Sequence, residues 1–374
     1  MTQEARKKVL VIGGTGPTGP HIVNGLIQRG HEVVILHGGQ HEVEFVQEIE
    51  HIHTDPHFAE TLSPALAGRT FDLVIATYGR LRIIADVLKG KTQRLVGVSG
   101  AAVFADRSDP RWGGLGRPIL IREDGPRHES ESRSAFGNRM WATEETLMKA
   151  HREGHFAATI VRYPLVFGPN APANPDWSTV RRILDGRRRI IASTNGTMGR
   201  RGYAENVAHA MLLVADHPEL SAGQIYNLRD ESQFSQRQRI EFIAGLLGRE
   251  IEIVELPPEL ADRAGKPESV LEFDICKIQS QLGYRDLVSP KEALTRSINW
   301  LIENPLQRGG EVEQQLGDPF AYDAEDRLID AYQAAMAEAR AIEFPKMQSG
   351  HMYRHPKKPG EAWKPHGARE QGKG

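Results

Sequence analysis

Three evenly spaced glycines, Gly13, Gly16 and Gly19, carry the clearest chemistry in this chain. They lie in the run Gly13-Gly14-Thr15-Gly16-Pro17-Thr18-Gly19. Glycine adopts backbone angles closed to other residues, and a turn built from it lets a pyrophosphate approach main-chain amides where the next helix begins. Gly13, Thr15, Gly16, Pro17, Thr18 and Gly19 are therefore the candidate phosphate-binding residues. A second group, His51, His53, Asp55 and His57, has the alternation that puts side chains on one face of a strand. Bare His-x-His pairs on strands are mostly solvated, so no metal is expected there. Ser130, Ser132 and Ser134 read as a polar loop, because no His-Asp pair at a recognisable spacing would turn one of them into a nucleophile.

These residues need elements to hold them. Residues 9–12 are an apolar run too short for a helix, and Ile22, Val23, Leu26 and Ile27 follow the turn at helical spacing. A second apolar run at 33–36 completes a strand, turn, helix and strand in the context that dinucleotide binding requires. At the end of that second strand an acidic residue would favour the ribose hydroxyls of NAD, and an arginine the extra phosphate of NADP. The chain has His37-Gly38-Gly39-Gln40 instead. His37 could donate to a phosphate and Gln40 could hold a ribose, so the cofactor is NAD or NADP. Strand patterns recur at 51–53, 73–76, 95–98, 159–161 and 224–228, and helical patterns at 142–151, 207–215, 237–247 and 290–303. The alternation predicts an α/β fold, a doubly wound parallel (Rossmann) sheet with a smaller C-terminal α/β substrate domain. The first domain takes residues 1–169 and about 202–229, and the second 170–201 and about 230–304, with the Pro- and Asn-rich stretch 170–176 as a linker. Residues 305–374 form a helical extension and a basic tail. Apolar spacing there predicts a helix over 323–344, with Asp323 as its N-cap, Pro345 closing it, and Lys346, Arg354, Lys357, Lys358 and Lys364 beyond.

The chain has 374 residues and a formal net charge of -2. That balance gives no general attraction to nucleic acid or anionic membrane. The arginine runs 181–182, 187–189 and 200–201 are the exception, and they read as a solvated helical face. One cysteine, Cys276, fits a reducing compartment. No apolar run approaches the ~18 residues of a membrane span, and the polar first eight residues do not form a secretory signal. A cytoplasmic protein without membrane or nucleic-acid partners is expected.

In motif order and spacing, residues 8–303 resemble the extended short-chain dehydrogenase/reductase family, the group of NAD-dependent epimerases and dehydratases. The resemblance rests on the glycine turn, Asp55 after the third strand, Val98-Ser99 ending the fifth, Arg162 with Val166-Phe167-Gly168-Pro169, and the helix at Val207-Ala208. It implies that Asp55 bonds the adenine amino group, that Thr77, Tyr78 and Gly79 line the nicotinamide side, and that Ser99 borders the cofactor. It also implies a homodimer paired through helices at 83–88 and 142–151. The family's catalytic Tyr-x-x-x-Lys is absent: with Glu144 fixing the frame, Phe136 stands at the tyrosine, Met140 at the lysine, and Gly100 at the assisting serine or threonine. No Tyr-x-x-x-Lys occurs anywhere between Ser99 and Arg162. Arg139 and His128 are the remaining candidates for moving a proton or clamping an anion, although Arg139 also suits an exposed helical position. Leu165 replaces the asparagine common in nucleotide-sugar enzymes, which turns the expectation toward a small non-sugar organic substrate and a non-standard reaction. A shortened segment between the fourth and fifth strands also resembles the chloroplast stem-loop RNA-binding branch. The other readings are a catalytically silent cofactor sensor and, on that last likeness, an RNA binder.

Overall fold

The computed structural model describes residues 6–105, 109–112, 120–129, 135–172, 174–194, 200–265, 272–345 and 359–360. Its contacts divide the chain into one compact unit, Met1–Ala321, and a second, Tyr322–Gly374. The first unit is built on strands β1 (Lys8–Ile12), β2 (Glu32–His37), β3 (Glu50–His53), β4 (Leu73–Ala76) and β5 (Arg94–Gly100), joined by Ala157–Tyr163 and Ile225–Asn227. All seven strands are parallel, in the order Ile225–Asn227, Ala157–Tyr163, β5, β4, β1, β2, β3. Chain progression reverses between β1 and β4, and ligands of such sheets bind in the crevice beyond the carboxyl ends at that point. Ile12 pairs with both Leu36 and Ala76, so the ends of β1, β2 and β4 are level there.

The strands read as unbroken apolar runs because both faces are buried. Val9 and Val11 pack one way, with Ile22, Val23 and Leu26 of helix α1 (Gly19–Gln28) and with Val207 and Met211 of helix Ala204–Asp216. Leu10 and Ile12 pack the other way, with Leu62 of α2 (Ala59–Ala65), Ile84 and Leu88 of α3 (Leu81–Leu88) and Leu147 of α4 (Ala135–Arg152). A smaller core lies apart from these two. Helices Trp177–Leu184, Gln236–Leu246 and Pro290–Glu303 enclose Ile190 and Ala192 of strand Arg189–Ser193, which pairs in parallel with Glu252–Leu256.

Several expectations need correction. Arg181, Arg182 and Arg201 of the arginine runs are not part of a solvated face, although Arg188 is exposed. Arg182 is fully buried and bonds both oxygens of Asp318, Arg181 pairs with Glu313 at 2.5 Å, and both guanidiniums lie over the Phe320 ring. These contacts bind residues 313–320 to helix Trp177–Leu184, which is why the compact unit runs to Ala321 rather than stopping near 304. Asn174 and Asp176 of the expected linker are also packed into the folded unit. Asn174 donates to Ser297 at 2.9 Å, and buried Asp176 receives Arg239 and Arg201. The catalytic-type helix, expected over 142–151, extends at its front to Ala135, and the terminal helix runs Tyr322–Arg340 rather than 323–344. Pro345 disfavours helical angles at residue 344, and the helix ends a turn earlier. The serines at 130, 132 and 134 and the basic residues from Lys346 to Lys358 and at 364 lie outside the described residues.

Candidate functional site

The glycine turn leaves β1 and enters α1, and its glycines have different duties. Gly13 has φ +111°, and a side chain there would place its Cβ 2.2 Å from Thr77 Oγ1. Gly19 packs on the turn itself, with Gly14 C and O only 2.2 Å from the position of a Cβ. Both are needed for the fold. Gly16 is exposed, has no other atom within 4 Å of such a Cβ, and does not take the left-handed angles. Nothing in the protein requires glycine at 16, and its absence of a side chain leaves the backbone there open to an approaching ligand. This open cradle before the first turn of α1 fits the pyrophosphate of a dinucleotide.

The other expected binding residues gather around it. Thr77 follows β4 and donates to Ile12 O at 3.2 Å, which ties the β4 end to the β1 end. Gly79 has φ +93° and is crowded by Pro56, so 77–79 closes against 55–57. Asp55 does not stand alone: its Oδ1 accepts from the His57 amide at 2.9 Å and faces His57 Nδ1 at 2.7 Å. Those bonds, the amide first, hold its carboxyl below the ordinary range. Tyr78 is exposed and meets the His57 ring edge-on at 4.9 Å. Buried Thr18 lies near the Tyr163 hydroxyl, which is itself buried and outside ideal hydrogen-bond geometry; burial pushes that phenol above its ordinary range. Tyr163 was not foreseen as a site residue; its pairing with Gly100 puts it at the sheet's carboxyl edge.

Ser99 turns away from any cofactor role for its hydroxyl, which donates to Glu144 Oε1 at 2.8 Å. Glu144 is fully buried on α4 and also receives Arg162 Nε at 2.8 Å, Arg162 Nη2 at 2.9 Å and Arg127 Nη1 at 3.2 Å. Burial works to raise this carboxyl, but the Arg162 bonds and charge outweigh it and hold Glu144 below the ordinary value. The network locks α4 to β5 and to Ala157–Tyr163, and so fixes the frame of every residue on α4.

Within that frame Met140 faces Gly100, its Cε 3.7 Å from where a Cβ at 100 would be, and Phe136 lies one turn earlier, 58% exposed. Arg139 is exposed, with its guanidinium 5.9 Å from the Phe136 ring centre. His128 is buried and its ring lies on Gly137, where any side chain would strike Cδ2 at 2.1 Å. Gly137 is the sequence signal for that contact. A cavity of about 700 Å³ opens between α3 and α4, with Gly79, Leu81, Val98, Phe136 and Met140 on its wall and Arg80, Arg82, Arg139 and Asp86 around it.

His37 ends β2 buried, and burial pushes it below its ordinary pKa. Its ring meets His51 and His53 of β3, both of them one side of the strand, while Gln40 is exposed on the following loop. Among the described residues no helix is long and apolar enough to cross a membrane.

Residues 76–228 match the model of the NAD dependent epimerase/dehydratase family. The chain is 24% identical over 259 residues to an uncharacterized protein, y4nL, of Sinorhizobium fredii, covering 62% of this chain and 68% of that one. It is 23% identical over 328 residues to the UDP-N-acetyl-alpha-D-glucosaminuronate decarboxylase of Bacillus cytotoxicus, covering 80% and 98%. The structure of an epimerase from Methanothermobacter thermautotrophicus superposes with a TM-score of 0.63 at 19% identity, over 80% of this chain and 93% of that one. At that identity the likeness concerns the fold.

Proposed function

We propose, from the premise that residues 76–228 form a domain of the NAD dependent epimerase/dehydratase family, that this protein binds NAD or NADP and acts on a small non-sugar organic molecule without the phenol-ammonium pair. The observation that carries the reading is the combination of an open cradle at Gly16 with Gly100, Phe136 and Met140 at the proton-moving positions. Bound NAD would supply a hydride acceptor. The chain's own contribution is to bind and orient: Gly16 admits the pyrophosphate, Gly13 and Gly19 hold the turn, and Thr77 to Gly79 border the opposite side. His37 and Gln40 stand at the ribose end, and Asp55, steadied by His57, at the adenine end. Phe136, Met140 and Val98 make the neighbouring wall apolar, and a cavity of this size suits one small ligand. The surrounding arginines favour an anionic group on it.

Relatives that act on sugar nucleotides by name argue for a sugar; Leu165, 52% exposed, and the apolar wall argue against one. A proton would have to come from His128, Arg139 or solvent. The commitment of Ser99, Glu144 and Arg162 to one another favours a second reading, a cofactor-sensing protein with no turnover. In either case we expect a cytoplasmic homodimer paired through α3 and α4, the partner covering the outer end of this cavity at Ile83, Asp86, Thr143 and Thr146.

The test is a panel of alcohol, ketone and sugar-nucleotide substrates with both cofactors, run on the wild type and on Phe136→Tyr/Met140→Lys. General acid-base catalysis is worth ~10²–10⁴-fold, so the wild type should be slow or silent on simple redox pairs and the double variant faster. Wild-type turnover near the typical ~10 s⁻¹ on a sugar nucleotide would overturn the non-sugar reading, and on a simple redox pair it would show that another residue fully replaces the tyrosine. A change in the bound cofactor's spectrum with any panel member separates the enzyme from the sensor.

A further inference from the structure

Four side chains converge at the outer edge of the sheet, and the cofactor reading uses only one of them. His37 ends β2, His51 and His53 lie two apart on β3, and Glu42 comes from the connection between those strands. Each offers one donor atom, and these atoms all lie within 4.8 Å of one another. His51 Nδ1 stands 3.2 Å from Glu42 Oε2 and His53 Nε2 3.2 Å from the other oxygen, Oε1; His37 Nε2 is 3.9 Å from Oε2 and 3.2 Å from His51 Nδ1. Asp55 and His57, grouped with His51 and His53 by sequence alternation, instead pair with each other.

We propose that His37, Glu42, His51 and His53 form a binding site for one divalent transition-metal ion, zinc fitting it best. Zinc takes imidazole nitrogen at ~2.0–2.1 Å and carboxylate oxygen at ~2.0–2.2 Å in a tetrahedron, which sets donors ~3.3–3.5 Å apart. The three contacts at 3.2 Å are within a few tenths of an ångström of that edge, two of them to different oxygens of the one carboxylate, and the four donors lie within 4.8 Å of one another. Three imidazoles and one carboxylate complete four-coordination, the pattern of a closed rather than a substrate-binding site. Without an ion the contacts compete, because His51 Nδ1 cannot both accept a proton from His37 and donate one to Glu42. An ion in the centre serves all four. One present contact is exchanged: the Gly39 amide points at His37 Nδ1 at 3.3 Å, and a ring bound through Nε2 keeps its proton on Nδ1. Exposure grades outward from buried His37 through His51 to Glu42 and His53, which gives an ion access from solvent. Occupied, the site joins the ends of β2 and β3 to the connection between them. With His37 held by the ion, Gln40 is left to meet a ribose; the assignment does not depend on the glycine cradle.

The test uses untagged, chelator-treated full-length protein titrated calorimetrically with Zn²⁺, with Co²⁺ absorption as a second readout. The expected result is one ion per chain and the visible bands of tetrahedral Co²⁺. His51→Asn/His53→Asn should weaken binding by more than the ~100-fold that loss of even an outer partner can cause. His155→Asn, an exposed histidine elsewhere, should leave it unchanged. Glu42→Gln, on an exposed loop, should also weaken binding and serves if the double variant does not fold. Absence of saturable binding, or unchanged affinity in these ligand variants, would overturn the proposal.

Discussion

Replacing Glu144 by Gln removes one charge from a fully buried ion pair and leaves its volume almost unchanged. Glu144 and Arg162 side chains are both 0% exposed and share two hydrogen bonds, at 2.8 and 2.9 Å. The other acceptors around Arg162 are neutral: Glu123 O at 3.0 Å and Asn227 Oδ1 at 3.4 Å. Breaking a buried pair on one side strands the remaining charge and costs about 3–5 kcal/mol. In a unit of this size a kcal/mol moves the melting point by about 2 °C, so the variant should melt about 6–10 °C lower. Arg127→Ala is the control. Arg127 is 31% exposed and leaves the Arg162 pair in place, so about 1 kcal/mol or less is expected. Because the folded Glu144 carboxyl titrates below its unfolded value, its contribution is present above about pH 4.5 and is lost as pH falls through the lower folded value. Urea denaturation of wild type, both variants and Glu144→Gln/Arg162→Met measures all of this. Glu144→Gln within about 1 kcal/mol of wild type would refute the claim that this network sets the position of α4.

Other outcomes follow from the same geometry. Gly19→Ala forces a Cβ onto Gly14 backbone at 2.2 Å and should cost about 1–3 kcal/mol, whereas Gly16→Val enters open space and should stay within about 0.5 kcal/mol by thermal melting. Asp230 is buried near Asp286, and burial first, then that neighbour, pushes its carboxyl from 3.8 to about 7. A raised acid contributes stability that is complete below pH 3.8 and lost as pH rises toward 7, so Asp230→Asn should flatten the stability profile in that window. Arg182→Met removes the guanidinium that neutralises buried Asp318 and should destabilise the compact unit by about 3–5 kcal/mol, and proteolysis should then cut within residues 305–321 first.

The sheet was legible because its strands are buried on both faces and so are unbroken apolar runs, and because Gly13 and Gly19 have steric reasons to be glycine. The frame of α4 was legible through one residue, Glu144, whose partner Arg162 is 18 positions away and itself part of a recognisable stretch. What failed to show was long-range pairing. Arg182 reaches Asp318 across 136 positions and Asp176 reaches Arg239 across 63, so neither run of charge announced its burial. The edge cluster was half visible: alternation brought His51 and His53 together, but Glu42 lies in an irregular connection and His37 joins only through β2–β3 pairing. The bond from the Ser99 hydroxyl to Glu144 was not legible, because a hydroxyl at a strand end gives no hint of which way it turns.

The central claim is that the cleft binds a dinucleotide through backbone exposed at Gly16, and calorimetric titration of NAD and NADP into wild type and Gly16→Val tests it most directly. The account predicts saturable binding of at least one cofactor by the wild type and a loss of 100-fold or more, about 2.7 kcal/mol, in a variant that melts like the wild type. Equal affinity in the two proteins, or no binding to the wild type, would contradict it.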